Sequence, residues 1–218
     1  MLMVRLYRAI RSRLVNALVK VIPYFGFIRN PQNPTQHVDF DMWFKQKVRG
    51  YNYHAYWPMN FTSRVTHVKN ILVGKGSFPG FMPGCYIQGI GNIYIGNYSI
   101  FSANVGIISA NHNLYDSSLH DTAEVHIGNY CWVGMNVVIL PGVRLGDYTI
   151  VGAGSVVTKS FPEGYCVIGG NPARIIKSLD RENCKRYEME KSPYRGYIRE
   201  DKFPEFAKNN LNISVMGT

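Results

Sequence analysis

The sequence predicts a mainly β protein. Its centre reads as a parallel coil of six-residue strand-and-turn units, with a helix ahead of it and a helical or irregular extension behind. Two observations predict this. From Ile127 the chain reads IGNYCW, VGMNVV, ILPGVR, LGDYTI, VGAGSV, VTKSFP, so an aliphatic residue returns at Ile127, Val133, Ile139, Leu145, Val151 and Val157. Composition agrees: 46% hydrophobic and 17% charged residues allow a sizeable core and exclude wholesale disorder. The 15 Tyr and 11 Phe favour strands, and 21 Gly with 11 Pro are many for a helical protein.

A period of six cannot keep one face of a 3.6-residue helix. It can if each hexad is one short strand plus a turn, with three hexads, about 18 residues, closing a triangular coil whose aliphatic residues stack inside. Gly follows the aliphatic residue at 128, 134, 146 and 152, and a small or branched residue stands four after it at Val137, Val143, Thr149 and Ser155. Gly, Asn and Asp suit corners where the backbone needs positive φ. The register recurs upstream at Ile95, Phe101 and Ile107, and more loosely from Val73 (VGKGSF, then Pro79 and Cys85). An ordinary sandwich of short strands would not keep six hexads in unbroken register.

The flanks divide the chain into residues 1–65, 66–177 and 178–218. On a helical wheel Met3, Tyr7, Ile10, Leu14, Leu18 and Val21 share one side, and Arg5, Arg8, Ser12, Arg13, Asn16 and Lys20 share the other. Pro23 should end this helix. The recurring arginines and Lys20 deny it the unbroken apolar run of a signal peptide or a spanning helix. As a basic amphipathic helix it suits an anionic membrane surface or packs on its own domain or a partner subunit; the pattern leaves both open. Residues 29–36 (RNPQNPTQ) read as a turn-rich linker, 39–49 as a short helix starting at Asp39, and 179–190 as a short exposed helix. The remainder (SPYRGYIREDKFPEF) is expected to drape over a neighbouring copy.

Lys and Arg exceed Asp and Glu by 10, but residues 1–38 hold +6, 39–173 only +1 and 174–218 +3. A nucleic-acid enzyme would carry its excess across the folded body. The four cysteines form no CxxC pair, which argues against a zinc knuckle or a disulfide framework and for reduced thiols.

IGNYCWVG, ILPGVRLGD, VGAGSVVTK and GGNPARII resemble the hexapeptide-repeat acyltransferases, in particular their sugar O-acetyltransferases, over roughly residues 66–177. The resemblance implies a left-handed parallel β-helix, acetyl-CoA as donor with no metal required, and a homotrimer with active sites between subunits. The repeat breaks once, in the insert 108–125 (ISANHNLYDSSLHDTAE in its core), and a break in so regular a coil is more often functional than ornamental. Family members carry their general base, a histidine, in such a loop, and NHNLYD places it at His112. Transfer from a thioester to an alcohol needs a base, and an imidazole of ordinary pKa about 6.5 is largely neutral at pH 7. His120 and His126 also lie in or beside the insert, and His126 should point outward. Asp116, Asp121, Glu124 or a backbone carbonyl remain open as the group fixing the histidine tautomer.

On the acceptor side the resemblance points to Asn104. Trp132, a large aromatic at an outward position, suits walling the thioester, stacking on an acceptor sugar or meeting a neighbouring subunit, and Asp116 is a further acceptor-side candidate. On the donor side it points to Gly134, Gly152 and Ala153 as positions where backbone approaches the pantetheine arm, to Thr158 and Lys159 after them, and to Arg174 and Lys177 for the phosphates. Met135 departs from the small polar residue many relatives carry. The implied function is acetyl transfer to a sugar hydroxyl of a cell-envelope or capsular glycan, by direct attack, on a cytoplasmic protein that can sit on the inner membrane face. Amino-sugar N-acetylation and a non-catalytic glycan-binding scaffold are the alternatives. A metal-dependent relative resembling γ-type carbonic anhydrases needs three converging histidines, for which His112, His120 and His126 form no convincing set.

Overall fold

The computed structural model describes residues 2–187 and 192–213, with side chains from Ser12 onward. Its central chain visits three parallel sheets in rotation. One holds Arg64–Thr66, Tyr86–Gln88, Gly106–Ile108, Val138–Ile139 and Val156–Val157. The second holds Ile71–Val73, Ile93–Ile95, Val125–Ile127 and Arg144–Leu145. The third holds Ile100–Phe101, Trp132–Val133, Thr149–Val151 and Cys166–Gly170, and is closed by the antiparallel strand Ala173–Ser178. Ile127 lies beside Leu145, Val133 beside Val151 and Ile139 beside Val157, so each regular coil takes 18 residues, as the period requires. All six of these aliphatic side chains are buried. Upstream the coil widens: Val73 pairs with Ile95, 22 residues on. The hexad count slips after the buried Phe78, where Gly80 and Gly84 turn the chain with φ of 82° and 73°.

One corner carries two ladders. Asn97 Oδ1 accepts the Lys75 amide, Asn129 Oδ1 the Asn97 amide and Asp147 Oδ1 the Asn129 amide, at 2.7–2.8 Å. The residues after these, Tyr98, Tyr130 and Tyr148, together with Tyr165 after Gly164, take φ of 46–55° and stack ring on ring at 4.9–5.6 Å. This stack explains why residues 179–187 do not form the expected helix. After a single turn at Arg181–Asn183 the chain is laid along the tyrosines, with Arg181 4.6 Å over the Tyr165 ring and Tyr187 against Tyr98 and Tyr130. The last three residues of that expected helix lie outside the described residues.

The two flanks are not separate pieces. Residues 23–60 and 192–213 build one aromatic cap: Phe27 packs on Tyr194 and Tyr197, and Tyr56 on Phe203 and Phe206 of the helix Phe203–Asn210. The segment SPYRGYIREDKFPEF, residues 192–206, thus packs on its own chain. Residues 29–36 are turn-rich but no free linker, because Gln32, Asn33 and Gln36 are buried and Asn33 donates to the Gly76 carbonyl of the first coil. Asp39 caps the next helix, Phe40–Trp43, by accepting the Met42 amide at 2.7 Å. In the amino-terminal helix Leu2–Val21, Val15 and Val19 pack against the body, while Leu14, Leu18 and Val21 of the expected apolar side stay exposed. Among the described residues no helix is long and apolar enough to cross a membrane.

Candidate functional site

The insert is a β-hairpin standing off the coil. Ile95 pairs with Ile127, 32 residues on, 14 more than a regular coil. The extra chain pairs Ala110–His112 with His120–Thr122 antiparallel, so that His112 faces His120 with ring centroids 4.5 Å apart. Asn113 shapes the tip: its Oδ1 accepts the Tyr115 and Asp116 amides, and its Nδ2 donates to both Asp121 oxygens at 3.1 and 3.2 Å. The turn brings the Ser117 carbonyl to 2.7 Å from His112 Nδ1. A carbonyl only accepts, so Nδ1 carries the proton and Nε2 presents a lone pair. The tautomer-fixing group is thus a main-chain carbonyl five residues on, and none of the three acids.

Each of those acids is otherwise engaged. Asp116 accepts the Ser118 hydroxyl and amide, which hold its carboxyl below the usual range. Asp121 is held by Asn113. Glu124 meets His126 Nε2 at 3.0 Å, Asn92 and Arg144, and its pKa is lowered chiefly by the His126 contact. His126 points outward and stacks on Tyr94 at 4.4 Å, so the three histidines do not converge.

Asn104 is an exposed corner residue with φ of 58°, and its Nδ2 donates to Asn136 Oδ1 of the next coil at 3.0 Å. Trp132 is 53% exposed. Its register neighbours are Ile100 and Ile150, and Ile150 pairs with Val167 and Val167 with Lys177. Paired residues share a face, so Trp132 and Lys177 stand on the same outer wall of the third sheet.

The donor-side residues separate by packing. Gly134 is buried, and a Cβ there would lie 2.7 Å from the Ala153 nitrogen, so this glycine makes room for the next coil. At Gly152 a Cβ would meet nothing nearer than the Ile168 oxygen at 3.4 Å, and Ala153 beside it is exposed. Lys159 Nζ lies 5.6 Å over the Phe161 ring, on a groove of about 270 Å³ lined also by Pro162 and Ile175. Thr158, Arg174 and Lys177 are exposed near the same end of the coil. Open backbone, an apolar floor and three basic groups suit a phosphate-bearing thioester donor. Sequence reasoning missed Asn113 as organiser of the loop, and held a backbone carbonyl open as the partner of His112 without locating it at Ser117. Asn113 with Asp116, Ser117 and Ser118 shortly after it was the signal available for the turn; nothing in the sequence marks which carbonyl is used.

A sequence profile for "Bacterial transferase hexapeptide (six repeats)" matches residues 124–159. The galactoside O-acetyltransferase of Lactococcus lactis is 32% identical over 124 residues, 55% of this chain and 58% of that protein. A putative acetyltransferase of Staphylococcus aureus is 33% identical over 117 residues, 52% of this chain and 57% of its own length. The chain thus spans somewhat more than half the length of these curated relatives. Among solved structures, a maltose O-acetyltransferase from Clostridium difficile matches with a TM-score of 0.55 at 29% identity, over 67% of this chain and 81% of that one. A galactoside acetyltransferase in complex with coenzyme A matches with a TM-score of 0.55 at 25% identity, over 70% and 81%.

Proposed function

We propose that this chain, which belongs to the hexapeptide-repeat transferase family, is an acetyl-CoA-dependent acetyltransferase. Its acceptor is a sugar hydroxyl of a cell-envelope or capsular glycan, and its coil is left-handed. The observation that carries the reading is the 2.7 Å contact from His112 Nδ1 to the Ser117 carbonyl, on a hairpin that interrupts the coil. It leaves Nε2 to take the hydroxyl proton. The acceptor oxygen then attacks the thioester carbon, the carbon–sulfur bond breaks, and the imidazolium returns the proton to the leaving thiolate. No covalent enzyme intermediate is needed. Gly152, Ala153, Thr158, Lys159, Arg174 and Lys177 hold the donor in this reading, with Trp132 beside them. Gly134 contributes by letting the coils stack. Acceptor contacts fall to Trp132, Asn104 and Asp116, with Asp116 acting through the loop turn it ties.

The active form is a homotrimer with sites between subunits. Leu114 at 91% and Tyr115 at 97% exposure give the hairpin tip an apolar surface suited to a neighbouring copy. The exposed Leu14, Leu18 and Val21 beside Arg13 and Lys20 suit peripheral contact with an anionic membrane from the cytoplasmic side.

The test is thermal melting with acetyl-CoA, with ADP as control, followed by turnover on a panel of sugar and amino-sugar acceptors. Acetyl-CoA at about 100 times its dissociation constant should add about 2.7 kcal/mol. His112→Ala should keep that shift and lower turnover about 10²- to 10⁴-fold. No shift with acetyl-CoA refutes the donor site, and undiminished turnover in His112→Ala refutes the base.

A further inference from the structure

A cavity of about 470 Å³ lies where the aromatic cap meets the first coil. His54, His67, Lys69, Asn70, Phe206 and Asn212 contribute to its lining, with Tyr56 behind them. The carboxyl-terminal segment closes it: the Asn212 amide donates to the Lys69 carbonyl and Asn212 Nδ2 to Asn70 Oδ1, both at 2.7 Å. His67 is held in the left-handed region at φ of 51° just ahead of Lys69, a conformation that persists only where the surroundings enforce it.

The lining of this cavity carries one full charge, that of Lys69. No carboxylate lines it. Residues 42–115, which supply part of the cap and the coils ahead of the insert, contain no Asp or Glu, yet hold Lys45, Lys47, Arg49, Arg64, Lys69 and Lys75; the acids of the cap, Asp39, Asp41, Glu200, Asp201 and Glu205, do not line the cavity. The near-neutral balance of the central body thus hides a basic half. Lys69 is exposed and has no ion-pair partner among the described residues. A concave site with aromatic walls, amide and imidazole groups and an unopposed ammonium recognises an anionic ring.

Its position connects it to the root of the hairpin that carries His112. Thr66, just before His67, pairs with Gln88, and Gln88 with Ile108 at the root of the hairpin. Two strand spacings make about 10 Å. The donor-side residues all lie on coils after the insert, and the cavity lies on the coils before it.

We propose that this cavity is a subsite for a negatively charged sugar unit, carboxylated or phosphorylated, of an extended acceptor glycan whose reacting hydroxyl sits at His112. The inference rests on the acetyltransferase reading, but its test measures occupancy without turnover. The full chain is titrated calorimetrically with a glucuronate-containing tetrasaccharide, neutral cellotetraose, glucose 1-phosphate and inorganic phosphate. An anionic sugar should bind at least tenfold more tightly than cellotetraose and than inorganic phosphate. Lys69→Glu and His54→Ala should each weaken it at least tenfold while leaving the acetyl-CoA melting shift intact. Tighter binding of the uronate or of the sugar phosphate identifies the charge; either supports the subsite. Equal binding of cellotetraose, equal binding of free phosphate, or unchanged binding in both variants overturns it. An intact acetyl-CoA shift with no sugar binding places the failure in the subsite rather than in the donor site.

Discussion

Gly128 and Gly152 occupy the same place in the hexad, one after an aliphatic residue, and neither has positive φ. The structure separates them. A Cβ on Gly128 would lie 2.6 Å from the Asp147 nitrogen and 2.7 Å from its Oδ1, whereas at Gly152 the nearest atom is 3.4 Å away. Gly128→Ala must therefore push two coils apart by several tenths of an ångström. Overpacking of this kind costs about 1–3 kcal/mol. The displacement also stretches the Gly128 amide bond to the Leu145 carbonyl, 2.8 Å, and the Asn129 amide bond to Asp147 Oδ1, 2.7 Å. At about 1 kcal/mol each, the loss totals about 3–5 kcal/mol, or roughly 10 °C in Tm for a chain of this size. Gly152→Ala should stay within about 0.5 kcal/mol, yet shrink the acetyl-CoA shift, because its methyl stands where the donor backbone contact is proposed. Thermal and urea melts of the two variants, with and without acetyl-CoA, make the comparison. A Gly128→Ala protein melting within about 2 °C of wild type, or equal losses in both variants, would refute the reasoning.

Three other outcomes are expected. Burial pushes the Cys131 thiol up to about 12, and raises Cys85 and Cys166 as well, while Cys184 is only half-buried. A thiol reagent at pH 8 should thus titrate one cysteine in the native protein and four in guanidinium. Lys47, whose Nζ donates to the Tyr53 and Ala55 carbonyls, has its pKa lowered to about 8 by burial. The unfolded chain keeps that proton to about pH 10.4, so between pH 8 and 10 the unfolded state binds more protons and stability rises with pH. Urea midpoints across that window should rise, and Lys47→Met should flatten the rise. Finally, removing residues 1–22, or Leu18→Glu alone, should release the protein from anionic vesicles in a sedimentation assay; retained binding would sink the lipid contact.

The coil was legible because its cause is local. Aliphatic residues every six positions can share an interior only in a triangular turn, and Ile127, Val133, Ile139, Leu145, Val151 and Val157 all point inward as that argument demands. The interruption at 108–125 was legible for the same reason, as a gap in a regular pattern. The cap was not. Its contacts join Phe27 to Tyr197 and Gln46 to Tyr197, pairs far apart in the chain and tied to no period. Over residues 179–187 the expected helix was misread because local propensity yields to the tyrosine stack that Arg181 and Tyr187 cover.

At the site the division is similar. The sequence by itself determined that a histidine-bearing loop leaves a six-residue repeat, since that is a property of pattern and spacing; the donor-side residues were implied by the family resemblance. Only the tertiary structure decided that His112 Nδ1 meets the Ser117 carbonyl, that Gly134 serves coil stacking while Gly152 stays open, and that His54, Lys69 and Phe206 line one cavity. Those facts depend on which main-chain atoms neighbouring coils and distant segments bring within a few ångströms, and side-chain order along the chain does not encode that distance.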